Sequence, residues 1–175
     1  MEEKQLVKGC VEGERKAQKA LYDRYSPQMM SVCLRYMKDK EDARDLLQEG
    51  FILVFSNIAR FRGESTLGTW VRKIFVNEAL NMLRRQDVLQ ETVDMEDDMF
   101  KDVMDETVIS QMSAAELMDY VKSLPESFRA IFNLFAVEGY SHREIGEMLG
   151  IPENTARSKY MRARLRLQKM ILNGM

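Results

Sequence analysis

Residues 141–166 read SHREIGEMLGIPENTARSKYMRARLR, and this stretch decides the fold of the carboxy-terminal half of the chain. Ser141 and Glu144 have the spacing of a capping box, in which each side chain bonds to the backbone amide of the other residue at a helix start. Gly150 can end this short helix because glycine tolerates positive φ. Residues 151–154 then turn the chain into a long final helix, and the whole pattern predicts a helix-turn-helix.

The final helix is expected to have two distinct faces, because successive residues of an α-helix advance by about 100°. One face is apolar and comprises Ala156, Tyr160, Ala163, Leu167 and Met170. The opposite face comprises Asn154, Arg157, Ser158, Met161 and Arg162. No acidic residue follows Glu153, so the helix is strongly basic. In a helix-turn-helix this second helix enters the major groove of DNA.

Arginine bonds to guanine and asparagine to adenine, so Asn154, Arg157 and Arg162 are candidate base readers. The basic residues beside them are expected to contact phosphates instead, and they are Lys159, Arg164 and Arg166. Two other interpretations of the helix stay open. It could be a basic helix exposed to solvent, or it could bind an acidic protein. The capped helix and the turn before it favour DNA.

The sequence predicts an all-α protein, because it has only three prolines and nine glycines and few stretches show the β-branched alternation of a half-buried strand. Of 175 residues 45% are hydrophobic and 31% charged, a balance that supports packed cores under a solvated surface. In the amino-terminal half we expect five helices, which span residues 3–12, 14–25, 27–37, 40–58 and 66–85. The carboxy-terminal half is expected to add helices at residues 112–123 and 125–137 before the helix-turn-helix.

An acidic segment separates these halves. Residues 86–111 contain nine acidic residues and one lysine, so the rest of the chain is net positive although the protein as a whole carries −2. We therefore predict two small helical domains, residues 1–86 and 112–175, joined by an acidic linker at residues 87–111. The linker could be a solvated tether, or it could lie in a basic channel of a partner and compete with nucleic acid.

The sequence shows no motif of an enzyme, a cofactor site or a metal site. Cys10 and Cys33 lack nearby ligands at metal spacing, and we expect two reduced packing thiols. His142 is the only histidine, and we expect it to be exposed and not catalytic. The first residues do not resemble a signal peptide and no apolar run is long enough to span a bilayer, so we expect no membrane insertion and a cytoplasmic location.

The fourth helix carries the polar residues Asp42, Asp45, Gln48 and Glu49 on one side, opposite a strongly apolar side. On physical grounds alone this is either a docking helix or a solvated face. However, DLLQEGF at residues 45–51 resembles the segment by which bacterial sigma factors bind the clamp helices of the RNA polymerase β′ subunit. Residues 61–85 resemble the promoter-melting part of the extracytoplasmic-function group of that family, and residues 124–166 resemble its minus-thirty-five-reading domain.

The resemblance implies a transcription initiation factor that binds core RNA polymerase through the β′ clamp helices and the β flap, with promoter DNA as a further partner and an anti-sigma factor as a candidate one. It assigns polymerase binding to Asp45, Gln48, Glu49 and Phe51. It implies that the loop at residues 61–67, together with Asn77, holds a base flipped from the non-template strand. The residues to which it assigns minus-ten reading are Phe61, Ser65, Leu67, Lys73, Asn77 and Arg84. It assigns minus-thirty-five reading to Asn154, Arg157, Ser158, Lys159, Met161, Arg162 and Arg164.

The chain departs from this pattern at Trp70, which stands alone where housekeeping sigma factors carry adjacent aromatic residues, and we expect it to pack in the core. Ala156 and Met161 prevent the transfer of specific base preferences. Two other classes of protein are considered. A response regulator or repressor would not need the motif at residues 45–51. A response regulator would also show the alternating strand and helix pattern of a receiver domain. A helical adaptor that sequesters a partner would not need the basic helix.

Overall fold

A computed structural model describes residues 1–87, 89 and 111–174 of the chain. The chain divides into two compact units, Met1–Arg85 and Gln86–Met175. All regular secondary structure in the described residues is helical, which confirms the predicted all-α class. Most of the predicted acidic linker, namely residue 88 and residues 90–110, lies outside the described residues.

The first unit contains four α-helices. They are α1 (Glu3–Val11), α2 (Arg15–Tyr36), α3 (Lys40–Asn57) and α4 (Leu67–Arg85), with a 3-10 turn at Ile58–Arg60 after α3. Helices α2, α3 and α4 pack against one another, and α1 packs against α2 and the 3-10 turn. Asp39 caps α3 by accepting a hydrogen bond from the Asp42 amide at 2.8 Å, as the sequence predicts.

The predicted helix boundary before Pro27 is wrong, because α2 runs without a break through this residue. A proline inside a helix removes one backbone hydrogen bond and normally favours a kink or an end. Here the buried side chains on both sides of Pro27, among them Leu21, Tyr25, Met29 and Val32, continue one apolar face. Burial of that face against α3 and α4 outweighs the missing hydrogen bond. The first unit therefore has four helices where five were expected.

Helices α3 and α4 approach each other closely at Gly50. A Cβ atom built on this glycine would lie 2.2 Å from a ring carbon of Phe75, a distance that no real contact tolerates. Phe75 is fully buried and packs edge-on against Phe51 with ring centroids 5.2 Å apart. The glycine thus allows an aromatic ring of α4 to pack directly on the backbone of α3.

The second unit contains α5 (Ala114–Lys122), α6 (Glu126–Phe132), α7 (His142–Leu149) and α8 (Glu153–Leu172). A π-helical turn at Asn133–Val137 follows α6 directly, so the helix expected at residues 125–137 is present with a widened last turn. The capping box of Ser141 and Glu144 and the left-handed Gly150 are confirmed. A second capping box, of Ser113 and Glu116 at the start of α5, was not predicted.

Candidate nucleic-acid and protein interfaces

The exposed face of α3 carries three of the four residues assigned to polymerase binding. Asp45, Gln48 and Glu49 are all exposed, and their spacing places them on one side of the helix. Ile52 lies on the same side and is 58% exposed, the most exposed large apolar residue in the described part of the chain. The sequence motif alone did not point to Ile52. An exposed apolar side chain with polar neighbours has the arrangement of an interface with an apolar centre and a polar rim.

Phe51, the fourth residue assigned to polymerase binding, does not belong to this surface. It is only 4% exposed and packs against Tyr22 and Phe75, with ring centroids 4.6 and 5.2 Å away. The assignment of Phe51 as a contact residue is therefore corrected. Its ring belongs to the core between α2, α3 and α4, where it holds the exposed face of α3 in place.

An ion-pair network joins this face to the end of α4. The guanidinium of Arg85 donates to Glu49 at 3.1 Å and to Glu78 at 2.9 Å. The Glu78 side chain is only 9% exposed, whereas those of Arg85 and Glu49 are 60% and 47% exposed. The hydrogen bond to Glu78 is the largest cause of the raised pKa of Arg85. Arg85 thus fixes the position of the Glu49 carboxylate at the edge of the face.

A cavity of about 550 Å³ lies beside the loop that precedes α4. The residues that line it are Arg60, Phe61, Arg62, Glu64, Ser65, Thr69, Trp70 and Lys73. Phe61 and Trp70 face each other at one wall, with ring centroids 5.5 Å apart. Thr66 caps α4 by accepting from the Thr69 amide at 3.2 Å. The cavity combines aromatic surface, hydroxyl groups and cations, which is the chemistry of a pocket for a nucleotide.

The structure brings only some of the assigned minus-ten residues to this cavity. Phe61, Ser65 and Lys73 line it. Leu67 does not, because its side chain is fully buried in the core and its amide donates to the Glu3 carboxylate at 3.2 Å. The assignment of Leu67 as a DNA contact is corrected. Trp70 is half-buried and lines the cavity, so its expected core role describes only part of its environment.

The remaining assigned residues of α4 continue away from the cavity along one side of the helix. The exposed residues on this side are Lys73, Asn77, Asn81 and Arg84. Arg84 donates to the Asn81 amide oxygen at 2.8 Å. Asn77 lies one helical turn beyond Lys73. Together these four residues form a polar stripe on α4 that is open to solvent.

In the second unit, Gly146 permits the close packing of α7 on the start of α8. A Cβ atom at Gly146 would lie 2.7 Å from the carbonyl oxygen of Ile151 in the turn. Ile145 on α7 and Ala156 near the start of α8 are fully buried. Because these residues leave no room for larger side chains, the turn holds α8 in a fixed orientation on α7.

The face of α8 that was predicted to read DNA is exposed. Its exposed members are Asn154, Arg157, Ser158, Met161 and Arg162, whereas Lys159 and Arg164 are half-buried. Arg157 donates to the Asn154 side-chain oxygen at 3.2 Å and to Glu153 at 3.1 Å. These bonds between exposed side chains hold the arginine near the amino end of α8 and take little energy to release.

His142 does not have the expected exposed environment. Its ring stacks on Phe135, with centroids 4.2 Å apart and an interplanar angle of 4°, and Tyr160 lies 5.6 Å away. Burial lowers the pKa of His142, and the positive charge of Arg157 lowers it further. The histidine is therefore a neutral packing residue between the π-helical turn and α8.

The described residues hold no group of three His, Cys, Asp or Glu side chains arranged to bind a metal ion. Cys10 and Cys33 are buried free thiols, and burial raises the pKa of Cys33 to about 12. None of the described helices combines the length and the apolar composition needed to cross a bilayer.

Two family models match the chain, Sigma-70 region 2 at residues 21–88 and Sigma-70 region 4 at residues 114–167. The ECF RNA polymerase sigma-E factor of Haemophilus influenzae is 33% identical, and the alignment covers 95% of this chain and 93% of that protein. The RNA polymerase sigma-H factor of Pseudomonas aeruginosa is 29% identical, over 97% of this chain and 94% of its own.

Two solved structures share the fold. One is CnrH in complex with the cytosolic domain of CnrY, with a TM-score of 0.53, 16% identity and 99% coverage of both chains. The other is the sigma factor RpoE in complex with the anti-sigma factor NepR from Bartonella quintana, with a TM-score of 0.53, 20% identity and coverage of 87% of this chain and 95% of that chain.

These matches define the class of protein, because region 2 and region 4 together are the two modules of a sigma factor. The chain belongs to the sigma-70 family of RNA polymerase sigma factors, in the extracytoplasmic-function group. Members of this family are promoter-specific transcription initiation factors and are not enzymes.

Proposed function

We propose that this chain binds core RNA polymerase and reads two promoter elements, the minus-ten element with its first unit and the minus-thirty-five element with its second. One observation carries the proposal. The same chain presents two exposed surfaces of different chemistry, namely a cavity beside the polar stripe of α4 and a basic helix held on a capped helix-turn-helix. The first suits a single strand with an extruded base, and the second suits a duplex groove.

The first unit is assigned the opened non-template strand. A base can be read on its pairing edge only after it leaves the stack, and it then needs a pocket with stacking and hydrogen-bonding groups. Phe61 and Trp70 supply aromatic surface at the cavity, and Ser65 supplies a hydroxyl group. Lys73 and Arg84 are exposed along α4 and follow the strand's backbone, and Asn77, exposed one turn beyond Lys73, is assigned to the extruded base. This surface therefore selects DNA that has already opened.

The second unit is assigned the closed duplex upstream. Asn154 and Arg157 lie in the first turns of α8, the part of a recognition helix that meets base edges. Ser158, Met161 and Arg162 extend the same exposed face. Lys159 and Arg164 lie at its margins, where they can neutralise phosphates. Arg157 must leave Glu153 and Asn154 to reach a base, and the salt bridge that it gives up is an exposed one of small energy.

The exposed face of α3 is assigned to the polymerase. Asp45, Gln48 and Glu49 would meet a basic and polar surface on the β′ clamp helices, with Ile52 buried at the centre. The second unit would bind the β flap. An anti-sigma factor is a further proposed partner, because one structural relative is solved with a protein of that kind. The place of action would be the cytoplasm, where the polymerase works.

The test combines the full chain with core RNA polymerase on a library of randomised promoters and measures run-off transcription. The proposal predicts transcripts only when the chain is present, from templates enriched in two separated sequence elements. Activity without sequence enrichment, or no binding to core polymerase, would contradict it. A chain that binds DNA tightly without polymerase and represses transcription would support the repressor alternative.

A further inference from the structure

A second cavity, of about 400 Å³, lies on the other side of the loop that precedes α4. Its lining residues come from α1 and from the loop, and they are Glu3, Lys4, Val7, Lys8, Phe61, Arg62 and Gly63. Phe61 and Arg62 also line the cavity that we assign to the extruded base. The two cavities are therefore neighbours that share one wall.

The second cavity has a net positive charge, which suits the phosphate of a nucleotide. Lys4, Lys8 and Arg62 give it three cations against the single carboxylate of Glu3. That carboxylate already accepts a hydrogen bond from the Leu67 amide at the start of α4, where the partial positive charge of the helix end offsets its own charge. The ion pair of Lys8 with Glu12 is 3.8 Å long and exposed, so it holds the lysine only weakly.

The remaining lining suits a base. Val7 is half-buried and supplies an apolar surface, and Phe61 supplies an aromatic one. Gly63 has φ +72°, and its missing side chain leaves the loop backbone open to an approaching ligand. Stacking of bases on aromatic surface with cations along the backbone is how proteins hold single strands.

We infer that this second cavity takes a second unstacked nucleotide of the same single DNA strand, adjacent to the one in the first cavity. The inference rests on the proposed function of the first cavity. A strand that leaves the first cavity crosses the shared wall at Phe61 and Arg62, so its neighbouring nucleotide reaches α1. The phosphate then lies near Lys4 and Lys8, and the base lies between Val7 and Phe61.

The experiment uses the holoenzyme on a promoter template with a pre-opened bubble, in which abasic sites replace single bases of the non-template strand through the minus-ten segment. We expect two neighbouring positions at which removal of the base lowers affinity about tenfold. Val7→Glu places a carboxylate in the second cavity and should remove sensitivity at one position only. Lys4→Ala with Lys8→Ala tests the same cavity without touching the partly buried valine.

The lysine double variant should reduce the dependence of log affinity on log salt by about 0.7 for each phosphate that the protein no longer neutralises. The matched control is Lys16→Ala with Lys38→Ala, two exposed lysines outside both cavities, which should leave this dependence unchanged. A single sensitive position in the wild type would overturn the second site and leave the proposed function standing. No sensitive position would overturn both. Two positions that both remain sensitive in Val7→Glu would also overturn the second site.

Discussion

The Arg85 guanidinium lies 3.1 Å from a Glu49 carboxylate oxygen, so the last residue of α4 holds a carboxylate of the proposed polymerase face. The same guanidinium holds the mostly buried Glu78 at 2.9 Å. Removal of Arg85 would leave Glu78 without this partner in a poorly solvated position, which costs stability. Arg85 is therefore unsuitable as a test of docking, and the residues that it positions are better ones.

The first prediction concerns docking. Gln48→Ala with Glu49→Lys should lower affinity for core polymerase at least about tenfold, because it reverses one charge at a polar interface. Exposed substitutions usually change the free energy of unfolding by less than about 0.5 kcal/mol, so the fold should persist. Glu41→Lys, on the same helix but in its first turn, is the control. Unchanged affinity in a folded double variant would remove α3 as the docking element.

A second prediction concerns the packing of α3 on α4. Gly50→Ala should reduce the free energy of unfolding by about 1–3 kcal/mol, because the new methyl group overlaps the Phe75 ring. Gly68→Ala is the matched control, since its Cβ would meet Tyr25 at 3.3 Å, a distance that a small shift relieves. Alanine also favours a helix over glycine. Chemical denaturation measures the free energy of unfolding of both variants. A value for Gly50→Ala equal to that of the wild type would contradict the packing described for Gly50.

The third prediction concerns pH. Burial lowers the folded-state pKa of His142 below its ordinary value of about 6.5. Between the two pKa values the unfolded chain binds more protons than the folded chain, so stability should fall as pH drops below about 6.5. His142→Phe should remove this dependence between pH 7 and 5, since the chain has no other histidine. A wild-type stability that rises as pH falls through this range would contradict the stacked, neutral histidine.

A fourth prediction separates base reading from phosphate binding on α8. Arg157→Ala should cost about 1–3 kcal/mol on the preferred upstream element and relax preference at one position. Arg166→Ala should weaken binding to all sequences alike and flatten the salt dependence by about one charge. Holoenzyme binding to single-base variants at several salt concentrations distinguishes the two. A uniform decrease for Arg157→Ala would make it a phosphate-binding residue.

Local signals in the sequence predicted most of the second unit. The capping box at Ser141 and the glycine at 150 specify a helix end through backbone chemistry that tertiary packing did not alter. Pro27 gave the opposite result, since a local breaker was outweighed by the packing of a long apolar face. The widened turn at Asn133–Val137 has no local signal that would have predicted it.

The residues of the proposed interfaces were also predictable from the sequence only in part. Asp45 and Ile52 are separated by about 700° around the axis of α3, which is nearly two full turns and places them on the same side of the helix. Angular position alone could therefore have identified Ile52 in place of Phe51. The cavity beside Trp70 could not be predicted in this way, because it depends on how the loop before α4 packs against α1. Glu3 and Leu67, which are 64 residues apart, determine part of that packing.

Permanganate footprinting of promoter DNA, with holoenzyme that carries Asn77→Ala, decides whether the first unit captures a base exposed by strand opening. The variant should form the closed complex normally and show reduced opening at matched promoter occupancy. Gln28→Ala, which removes an amide side chain that is exposed on α2 and lies outside both cavities, is the control and should open DNA normally. Equal opening by Asn77→Ala and the wild type at matched occupancy would contradict base capture by the first unit.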